Sequence, residues 1–546
     1  MLTIKNPILP GFHGDPCVVR VGEDYYIVTS SFEWFPGAPL YHSKDLRNWR
    51  LLYNILDTRE LLDLTGVRPS FGVWAPDLSY CEAERRFYLL YSNVHCRNKW
   101  LFDVDNYLIW TDDIESGEWS RPLYINSSGF DPSLFHDDDG RKWVVNKDRD
   151  FRPRNVDRRT IILQELDIKT GTLLGAPKSI SHGATERRFV EGPHLYKRDG
   201  MYYLMTAEGG TGYGHCVALL RSKNIGGPYE PSPYGPVITS NNDVFSGTET
   251  VPFMMMERYN PEAELQKAGH GSLVETQAGE WYVVHLCGRP VMPQQRCILG
   301  RETAIQRVEW TGDGWLRMPE GNLARLSTPA PAIPEHPFPP ESPLCDFDGP
   351  AIPKQFYTPR NEIAEDWASV SRRKGHLSLR GRESLTSNYY PSLLARKLTA
   401  FHTETTVRME FAPELYHHIA GLACYYDMCN HHIAFKSHDE ELGGAILSIA
   451  SFINGELTDS GVAVPVGAEA PVWLRAHIRD AELQFLYSLD GERFLPLGGA
   501  LDLSPLSDEE SPLGSFTGTF IGMFAQDSDR KQKWADFDWF RYEILE

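Results

Sequence analysis

The sequence contains no apolar run of about 18 residues, the length that a membrane-spanning helix needs. Long stretches with the periodicity of amphipathic helices are also scarce. The N-terminal residues lack the basic segment and apolar core of a secretory signal. These absences argue against a helical membrane protein, and the missing signal leads us to expect a cytoplasmic location.

Cysteines are few, and basic residues are fewer than acidic ones. The nine cysteines are an odd number without the spacing of a disulfide framework, which suits a reducing compartment. The 54 basic residues against 74 acidic residues give a formal net charge of −20, which disfavours nucleic acid or an anionic membrane as a partner. A neutral or weakly polar substrate fits this charge better.

Aromatic residues and turn formers are abundant. Aromatics make up 12% of the 546 residues, and the chain has 45 glycines and 38 prolines. This composition favours an all-β protein with many tight turns. The chain is too long for one hydrophobic core, so we expect two or three domains.

A short pattern recurs five times in the first 300 residues. In each copy a small or polar residue leads into a short apolar strand, and a second strand rich in aromatics follows. The copies lie at residues 15–28, 75–90, 131–145, 191–205 and 270–284. A repeat of this period predicts blades arranged around one axis, and we interpret this region as a five-bladed β-propeller.

A proline-rich segment separates the repeats from the rest of the chain. Residues 327–344 contain seven prolines, which predicts a stiff, extended connector. The strand-like alternation after this segment predicts a β-sandwich. We therefore divide the chain into a propeller domain at 1–326, a linker at 327–344 and a sandwich domain at 345–546.

Three of the five copies open on a carboxylate, namely Asp15, Asp131 and Glu191. Because the first strand of a propeller blade lines the central channel, we expect these side chains to meet at its mouth. Crowded, partly desolvated carboxylates have pKa values that are pushed apart, as separate acid and base roles require. Glycoside hydrolysis uses such a set, and a separation of roughly 6–10 Å predicts inversion. The alternative is that these residues only cap turns at the strand starts.

Two aromatic residues, Phe32 and Trp74, adjoin the channel ends of strands. Apolar faces of sugars stack on such rings, so both are candidate walls of a sugar pocket. Packing between blades is the alternative for each of them. We assign Trp34 and Phe35 to packing or to the rim of the pocket.

Several long motifs resemble glycoside hydrolase family 43, and in particular its β-xylosidase branch. They lie at residues 6–16, 29–37, 42–46, 72–77, 130–134, 191–197, 267–274 and 299–306. The resemblance implies a five-bladed propeller followed by a concanavalin-like sandwich that closes the active site. It also implies an inverting exo-hydrolase that releases xylose from non-reducing ends of β-1,4-xylo-oligosaccharides, with terminal α-L-arabinofuranosyl groups as further substrates of many relatives.

The resemblance assigns roles to the residues that match its motifs. It implies that Asp15 is the general base, that Glu191 is the general acid, and that Asp131 tunes and orients this acid. Arg301 matches the arginine that contacts sugar hydroxyls near the acidic cluster. His270 matches the channel histidine beneath the sugar.

The resemblance also implies which residues line and close the pocket. Phe32 and Trp74 match wall residues. In the sandwich, the loop around Phe516 resembles the segment that places a phenylalanine over the propeller pocket, and Phe520 is the alternative. A pocket closed in this way would enforce exo action on short substrates.

We expect no required cofactor. In some family members a calcium ion lies near the histidine that matches His270, held largely by water, so calcium remains an open alternative. A zinc site is disfavoured because the spacing is not that of a closed tetrahedral site. The residues of that rejected zinc cluster are Cys424, Cys429, His431, His432 and His438.

The resemblance implies a homo-oligomer, because relatives with the sandwich commonly form dimers or tetramers. The nearest functional alternative is an enzyme that acts mainly as an α-L-arabinofuranosidase. A more distant alternative is a non-catalytic carbohydrate-binding propeller. The presence of Asp15, Asp131 and Glu191 speaks against it, because sugar binding alone does not need an acid opposite a base.

Overall fold

The computed structural model describes residues 2–98, 101–150, 152, 160–243, 254, 256–514 and 516–545. Over these ranges the regular structure is β, apart from a short 3₁₀ helix at Met256–Arg258. Within the same ranges we find no helix with the length and apolarity to span a membrane. The prediction of an all-β protein is confirmed.

Five antiparallel sheets, each built from strands that follow one another in chain order, form the blades of a propeller. Blade I contains Cys17–Val21, Asp24–Val28, Gly37–Ser43 and Arg50–Leu56. Blade II contains Gly72–Cys81, Arg86–Asn98, Leu101–Thr111 and Leu123–Asn126. Blade III contains Gly129–His136, Lys142–Asp148, Ile161–Asp167 and Thr172–Ser181. Blade IV contains Glu191–Arg198, Met201–Glu208, Cys216–Ser222, Glu230–Pro231 and Ile238–Thr239. Blade V contains Gln266–Glu275, Trp281–Gly288, Glu302–Trp310 and Leu316–Arg317.

The first strand of every blade lies innermost and contacts the first strand of the next blade. The inner strand of blade V also contacts that of blade I, so the ring is closed. The ends of the propeller are joined outside the blades, where Thr3–Lys5 pairs with Ser327–Pro329. The prediction of a five-bladed propeller is confirmed.

The second strand of a blade is buried on both faces, because it packs against the neighbouring blades on either side. This explains its continuous apolar and aromatic sequence, since neither face meets water. In blade I, residues Tyr25, Tyr26, Ile27 and Val28 are all buried. Between blades V and I, Ile27 and Val284 belong to one hydrophobic cluster.

The sandwich domain consists of two antiparallel sheets. The first contains Leu344–Cys345, Ala368–Ser369, Leu377–Arg380, His402–Glu410, Val472–Arg479, Glu482–Ser488, Leu495–Pro496, Leu501–Asp502 and Trp534–Ile544. The second contains Ser392–Lys397, His418–Tyr425, His431–Asp439, Gly444–Ile453, Glu456–Asp459, Val464–Pro465 and Phe520–Asp527. Burial alternates along Val472–Arg479 as the two faces of a strand require. The sandwich prediction is confirmed.

The proline-rich segment lies against blade I on its way to the sandwich. The backbone N–H of His336 donates to Asp45 Oδ2 at 2.7 Å. The guanidinium of Arg50 lies 4.7 Å from the centroid of the Phe338 ring. The connector is therefore extended and docked along the propeller surface.

The sandwich is attached to the propeller by strand pairing and aromatic packing. Trp34–Phe35, which follows the second strand of blade I, pairs antiparallel with Thr358–Pro359. The ring of Trp34 stacks on that of Phe520, with centroids 3.4 Å apart and an interplanar angle of 13°. Both side chains are fully buried, so the two domains share a hydrophobic core at this contact.

A buried ion cluster adds to this interface. Lys267 Nζ, on the inner strand of blade V, lies 3.1 Å from Asp508 and 2.6 Å from Glu509 of the sandwich. All three side chains are fully buried. Tyr426 donates to Asp508 at 3.0 Å, and the backbone N–H of Cys297 donates to Glu509 at 2.9 Å. Because these partners satisfy the carboxylates, the cluster fixes how the domains meet.

We expect Lys267→Met to lower the free energy of unfolding by about 3–5 kcal/mol, because it leaves two buried carboxylates without a counter-charge. Denaturant unfolding followed by fluorescence measures the loss. Lys44→Met is the control, because the Lys44 pair with Asp24 is substantially exposed and should contribute less than about 1 kcal/mol. Equal losses in the two variants would contradict the role of the cluster.

Candidate active site

Each blade has a residue with a positive φ at or just before its inner strand, close to the channel mouth. Four of these lie where the register of the strand pair is interrupted, in blades II to V. A bulge of this kind bends the strand and re-aims a side chain. The five residues and their φ angles are Asp15 (53°), Ala75 (35°), Asp131 (52°), Gly192 (54°) and His270 (48°).

Glu191 therefore lies one residue before the position that Asp15 and Asp131 occupy in their blades. Its neighbour Gly192 takes the left-handed conformation, which glycine adopts without a steric penalty. A Cβ at Gly192 would lie 2.8 Å from Cε1 of His270, so the backbone here has no room for a side chain. The Gly192 N–H donates to Asp131 Oδ2 at 3.0 Å, which connects the Glu191 segment to the second carboxylate.

Asp15 is buried and held by three groups. Ser30 Oγ donates to Asp15 Oδ2 at 2.7 Å, Arg301 Nη1 lies 3.4 Å from Asp15 Oδ1, and His270 Nδ1 lies 3.6 Å from the same oxygen. Burial alone would raise the pKa of Asp15, but the Arg301 charge and the Ser30 hydrogen bond help to hold it below the ordinary value. Asp15 is therefore a carboxylate at neutral pH.

The pKa values of Asp131 and Glu191 are raised, whereas that of Asp15 is lowered. Burial, followed by the negative charges of Glu191 and Asp15, raises the pKa of Asp131 well above its ordinary value. Burial raises the pKa of Glu191 to about 7, with Lys147 opposing the shift and Asp15 adding to it. One ionised carboxylate thus faces two carboxyl groups whose pKa values are raised, which is the division that acid and base roles need.

Three aromatic side chains pack beside the carboxylates. Phe516 of the sandwich lies 5.5 Å from Phe32 and 5.5 Å from Trp74 between ring centroids, and Phe32 and Trp74 are 6.1 Å apart. Exposed fractions are 2% for Phe32, 7% for Trp74 and 8% for Phe516. The two domains therefore build one aromatic wall.

Arg301 joins this wall to the acidic cluster. Its Nη2 donates to the backbone carbonyl of Phe516 at 3.0 Å, and its Nη1 donates to Thr211 Oγ1 at 3.1 Å. The guanidinium lies 4.8 Å from the Phe516 ring centroid and 5.2 Å from that of Phe32. One buried cation thus contacts Asp15, the propeller wall and the sandwich loop.

Ser70 links Trp74 of the propeller to Phe516 of the sandwich through its backbone and hydroxyl. Trp74 Nε1 donates to the Ser70 carbonyl at 3.0 Å, and the Phe516 N–H donates to Ser70 Oγ at 3.2 Å. The Ser70 N–H donates to Glu33 Oε2 at 2.9 Å. Ser70 therefore fixes the positions of two wall residues from different domains.

Residues 4–316 match the family model for glycosyl hydrolases family 43, which covers more than half of the chain. The chain belongs to glycosyl hydrolase family 43. Residues 345–543 match a second model, the β-xylosidase C-terminal concanavalin A-like domain. The recognition of this family from sequence motifs is confirmed.

Relatives of this family 43 chain match it from end to end. A xylan 1,3-β-xylosidase of a Vibrio species is 42% identical, covering 99% of each chain. A xylosidase/arabinosidase 43B of Humicola insolens is 43% identical, covering 100% of this chain and 98% of the relative. The crystal structure of a xylan β-1,4-xylosidase from Bacillus halodurans is 46% identical, with a TM-score of 0.93 over 99% of this chain and 100% of the relative.

The structure brings all eight sequence-predicted site residues together around the channel mouth. The alternative to Phe516 lies elsewhere, because Phe520 stacks on Trp34 inside the domain interface. Trp34 itself belongs to packing and not to the pocket rim. The repeat predicts Glu191 at the same position as the aspartates, but in the structure Glu191 lies one residue before that position.

The rejected zinc cluster of the sandwich does not come together as a site. His431 stacks on Phe452 with ring centroids 4.4 Å apart, and His432 Nδ1 bonds Ser451 Oγ at 2.7 Å. Over the described part of the chain, the group of three side chains that could hold a metal ion lies in the propeller channel instead.

Sequence reasoning missed Ser30, Ser70 and Thr211 as supporting residues. Ser30 lies inside a motif that was matched, but a single hydroxyl in a loop carries no spacing signal. Ser70 and Thr211 act through contacts with distant parts of the chain, which no local pattern reports.

We expect Gly192→Ala to lower kcat/KM by about 100-fold, because the added methyl group collides with His270 and displaces Glu191. Steady-state hydrolysis of an aryl glycoside measures the loss. Gly200→Ala is the control, since Gly200 lies in the same blade with φ 76° and has open space around it. Comparable losses in both variants would show that backbone strain alone, and not the contact with His270, is responsible.

Proposed function

We propose that this family 43 hydrolase is a β-xylosidase that releases single xylose units from the non-reducing ends of β-1,4-xylo-oligosaccharides. The observation that carries the proposal is the aromatic wall at the carboxylates, completed by Phe516 from the second domain. A pocket closed on one side admits the end of a sugar chain and not its middle. The apolar ring faces of a sugar can stack on such a wall.

The charge states of Asp15 and Glu191 indicate which side chain accepts a proton and which donates one. Asp15, ionised beside Arg301, is the base that deprotonates a water molecule as it attacks the anomeric carbon. Glu191, with its pKa raised to about 7, donates a proton to the leaving oxygen. Asp131 orients the acid segment through its bond from the Gly192 N–H. Water attacks directly in this scheme, so the anomeric configuration inverts.

Calcium takes no part in the proposed reaction. His270 offers one ring nitrogen, whereas calcium takes six to eight oxygen ligands, and the nearby Asp15 carboxylate already bonds Ser30 and Arg301. His270 is buried, and burial lowers its pKa to about 4. In this proposal the neutral imidazole supports the floor of the pocket beside Asp15.

The relatives' names support xylose as the sugar and differ on the linkage. We adopt the β-1,4 linkage that the Bacillus halodurans structure is named for, because that relative is 46% identical. The second candidate function is removal of terminal α-L-arabinofuranosyl groups, which the name of the Humicola relative favours.

We place the enzyme in the cytoplasm, where imported oligosaccharides would be cleaved. All nine cysteines are free thiols, and seven of them are buried, which suits a reducing compartment. A homo-oligomer stays a prediction from the family resemblance.

Hydrolysis should weaken as the pH rises through about 7, because Glu191 then loses the proton that it donates. Above that pH we expect kcat/KM to fall about tenfold per pH unit. The alkaline limb should disappear in Glu191→Ala, and this variant should retain most activity on aryl xylosides whose leaving groups need no protonation. A variant equally impaired on activated and unactivated leaving groups would contradict the acid role.

NMR of the first-formed products tests the proposed function directly. Xylotriose should give α-xylose and xylobiose, and Asp15→Ala should give no product on any substrate while remaining folded. Aryl α-L-arabinofuranoside, assayed beside aryl β-xyloside, should be cleaved more slowly. First-formed β-xylose would refute inversion, and faster cleavage of the arabinofuranoside would establish the second candidate function.

A further inference from the structure

A second ring of side chains lies below the channel mouth. In a strand, residues i and i+2 point to the same side, so the inner strands face the channel again two residues after the bulge position. A cavity of about 330 Å³ is lined by all five inner strands and contains this second ring. Its members are Cys17, Asp77, Ser133, His194 and Ser272.

Three members of the second ring converge on one point. Cys17 Sγ lies 3.4 Å from Asp77 Oδ1, and His194 Nδ1 lies 3.2 Å from the same oxygen. The ligand atoms of the three residues all lie within 4.8 Å of one another. The residues are 3%, 5% and 8% exposed, respectively.

The other two members of the ring are already engaged. Ser133 Oγ donates to the carbonyl of Pro193 at 2.6 Å, and Ser272 Oγ accepts the Val18 N–H at 3.1 Å. The second oxygen of Asp77 accepts the Leu134 N–H at 2.9 Å, which fixes the carboxylate while Oδ1 points at the thiol and the imidazole. Such outer bonds orient metal ligands in proteins.

We propose that Cys17, Asp77 and His194 bind one divalent ion of the zinc class, with water from the cavity as the fourth ligand. A thiolate, an imidazole and a carboxylate are ligands that zinc takes in tetrahedral sites. The sulfur ligand selects against calcium and magnesium, which take oxygen. The site is distinct from the channel mouth, because none of the three residues belongs to the catalytic carboxylates or the aromatic wall.

The three ligands come from blades I, II and IV, so a bound ion would join separate blades across the channel. It would stabilise the folded ring, because the unfolded chain does not bring the ligands together. The site also lies close to the floor of the pocket, since the rings of His194 and His270 are 6.4 Å apart between centroids.

Binding must displace the thiol proton of Cys17, which passes to solvent. The proton and the ion compete for the same sulfur. The affinity should therefore increase with pH, by roughly tenfold per unit when one proton is released. A polar plug that is only hydrogen-bonded would show no metal affinity at any pH.

The test uses the full-length protein with Cys96→Ser as the background, because Cys96 is the exposed thiol and could take up zinc adventitiously. Calorimetric titration with zinc at two pH values measures stoichiometry and affinity. Cobalt is the spectroscopic probe, since a thiolate ligand gives it an ultraviolet charge-transfer band. Cys17→Ser and His194→Gln remove single ligands, and Cys81→Ser is the control for the loss of a buried thiol in the propeller.

We expect one zinc ion per chain, a higher midpoint of thermal unfolding with zinc, and a cobalt–thiolate band. Cys17→Ser should lose the band, and both ligand variants should bind zinc at least 100-fold more weakly, while Cys81→Ser binds normally. The site is overturned if the background protein binds no zinc at micromolar concentration, or if both ligand variants bind as tightly as it does. If Cys17→Ser does not fold, the zinc affinity of His194→Gln alone tests the site. Xylosidase activity is assayed separately, so its loss or retention does not bear on the metal site.

Discussion

Mutual repulsion among three buried carboxylates is the constraint on which the rest of the active site depends. Asp15, Asp131 and Glu191 can share a desolvated channel mouth only if charge is compensated there. The compensation is unequal, because Arg301 and Ser30 contact Asp15 and help to lower its pKa, whereas the pKa values of the other two are raised. This inequality gives chemically similar side chains different roles.

The second domain completes the site and is not an appendage to it. Arg301 can remain buried beside Asp15 because the Phe516 carbonyl accepts two of its N–H groups, at 3.3 and 3.0 Å. The loop that carries Phe516 is in turn held by the docking of the sandwich, to which the Lys267 cluster and the strand pairing at Trp34 contribute. Interface geometry and active-site electrostatics are therefore coupled through one guanidinium.

Most of the fold follows from the sequence, because each blade repeats a local pattern of turn, apolar strand and aromatic strand. The same repeat predicts that Asp15, Asp131 and Glu191 meet at the channel mouth. The one-residue offset of Glu191 does not follow from the repeat, because it depends on which residue takes a positive φ. The role of Ser70 depends on a contact with Phe516, 446 residues away. The Cys17–Asp77–His194 triad follows from strand alternation once the bulge positions are known.

The bond between Arg301 and the main chain of residue 516 has an evolutionary consequence. A carbonyl oxygen is present whatever side chain the residue carries, so substitution at this position can reshape the pocket without disconnecting the arginine. The shape of the cavity and the charge of Asp15 are thus separable properties. A lineage that shares this loop could diversify the sugar it accepts while leaving its acid–base apparatus untouched.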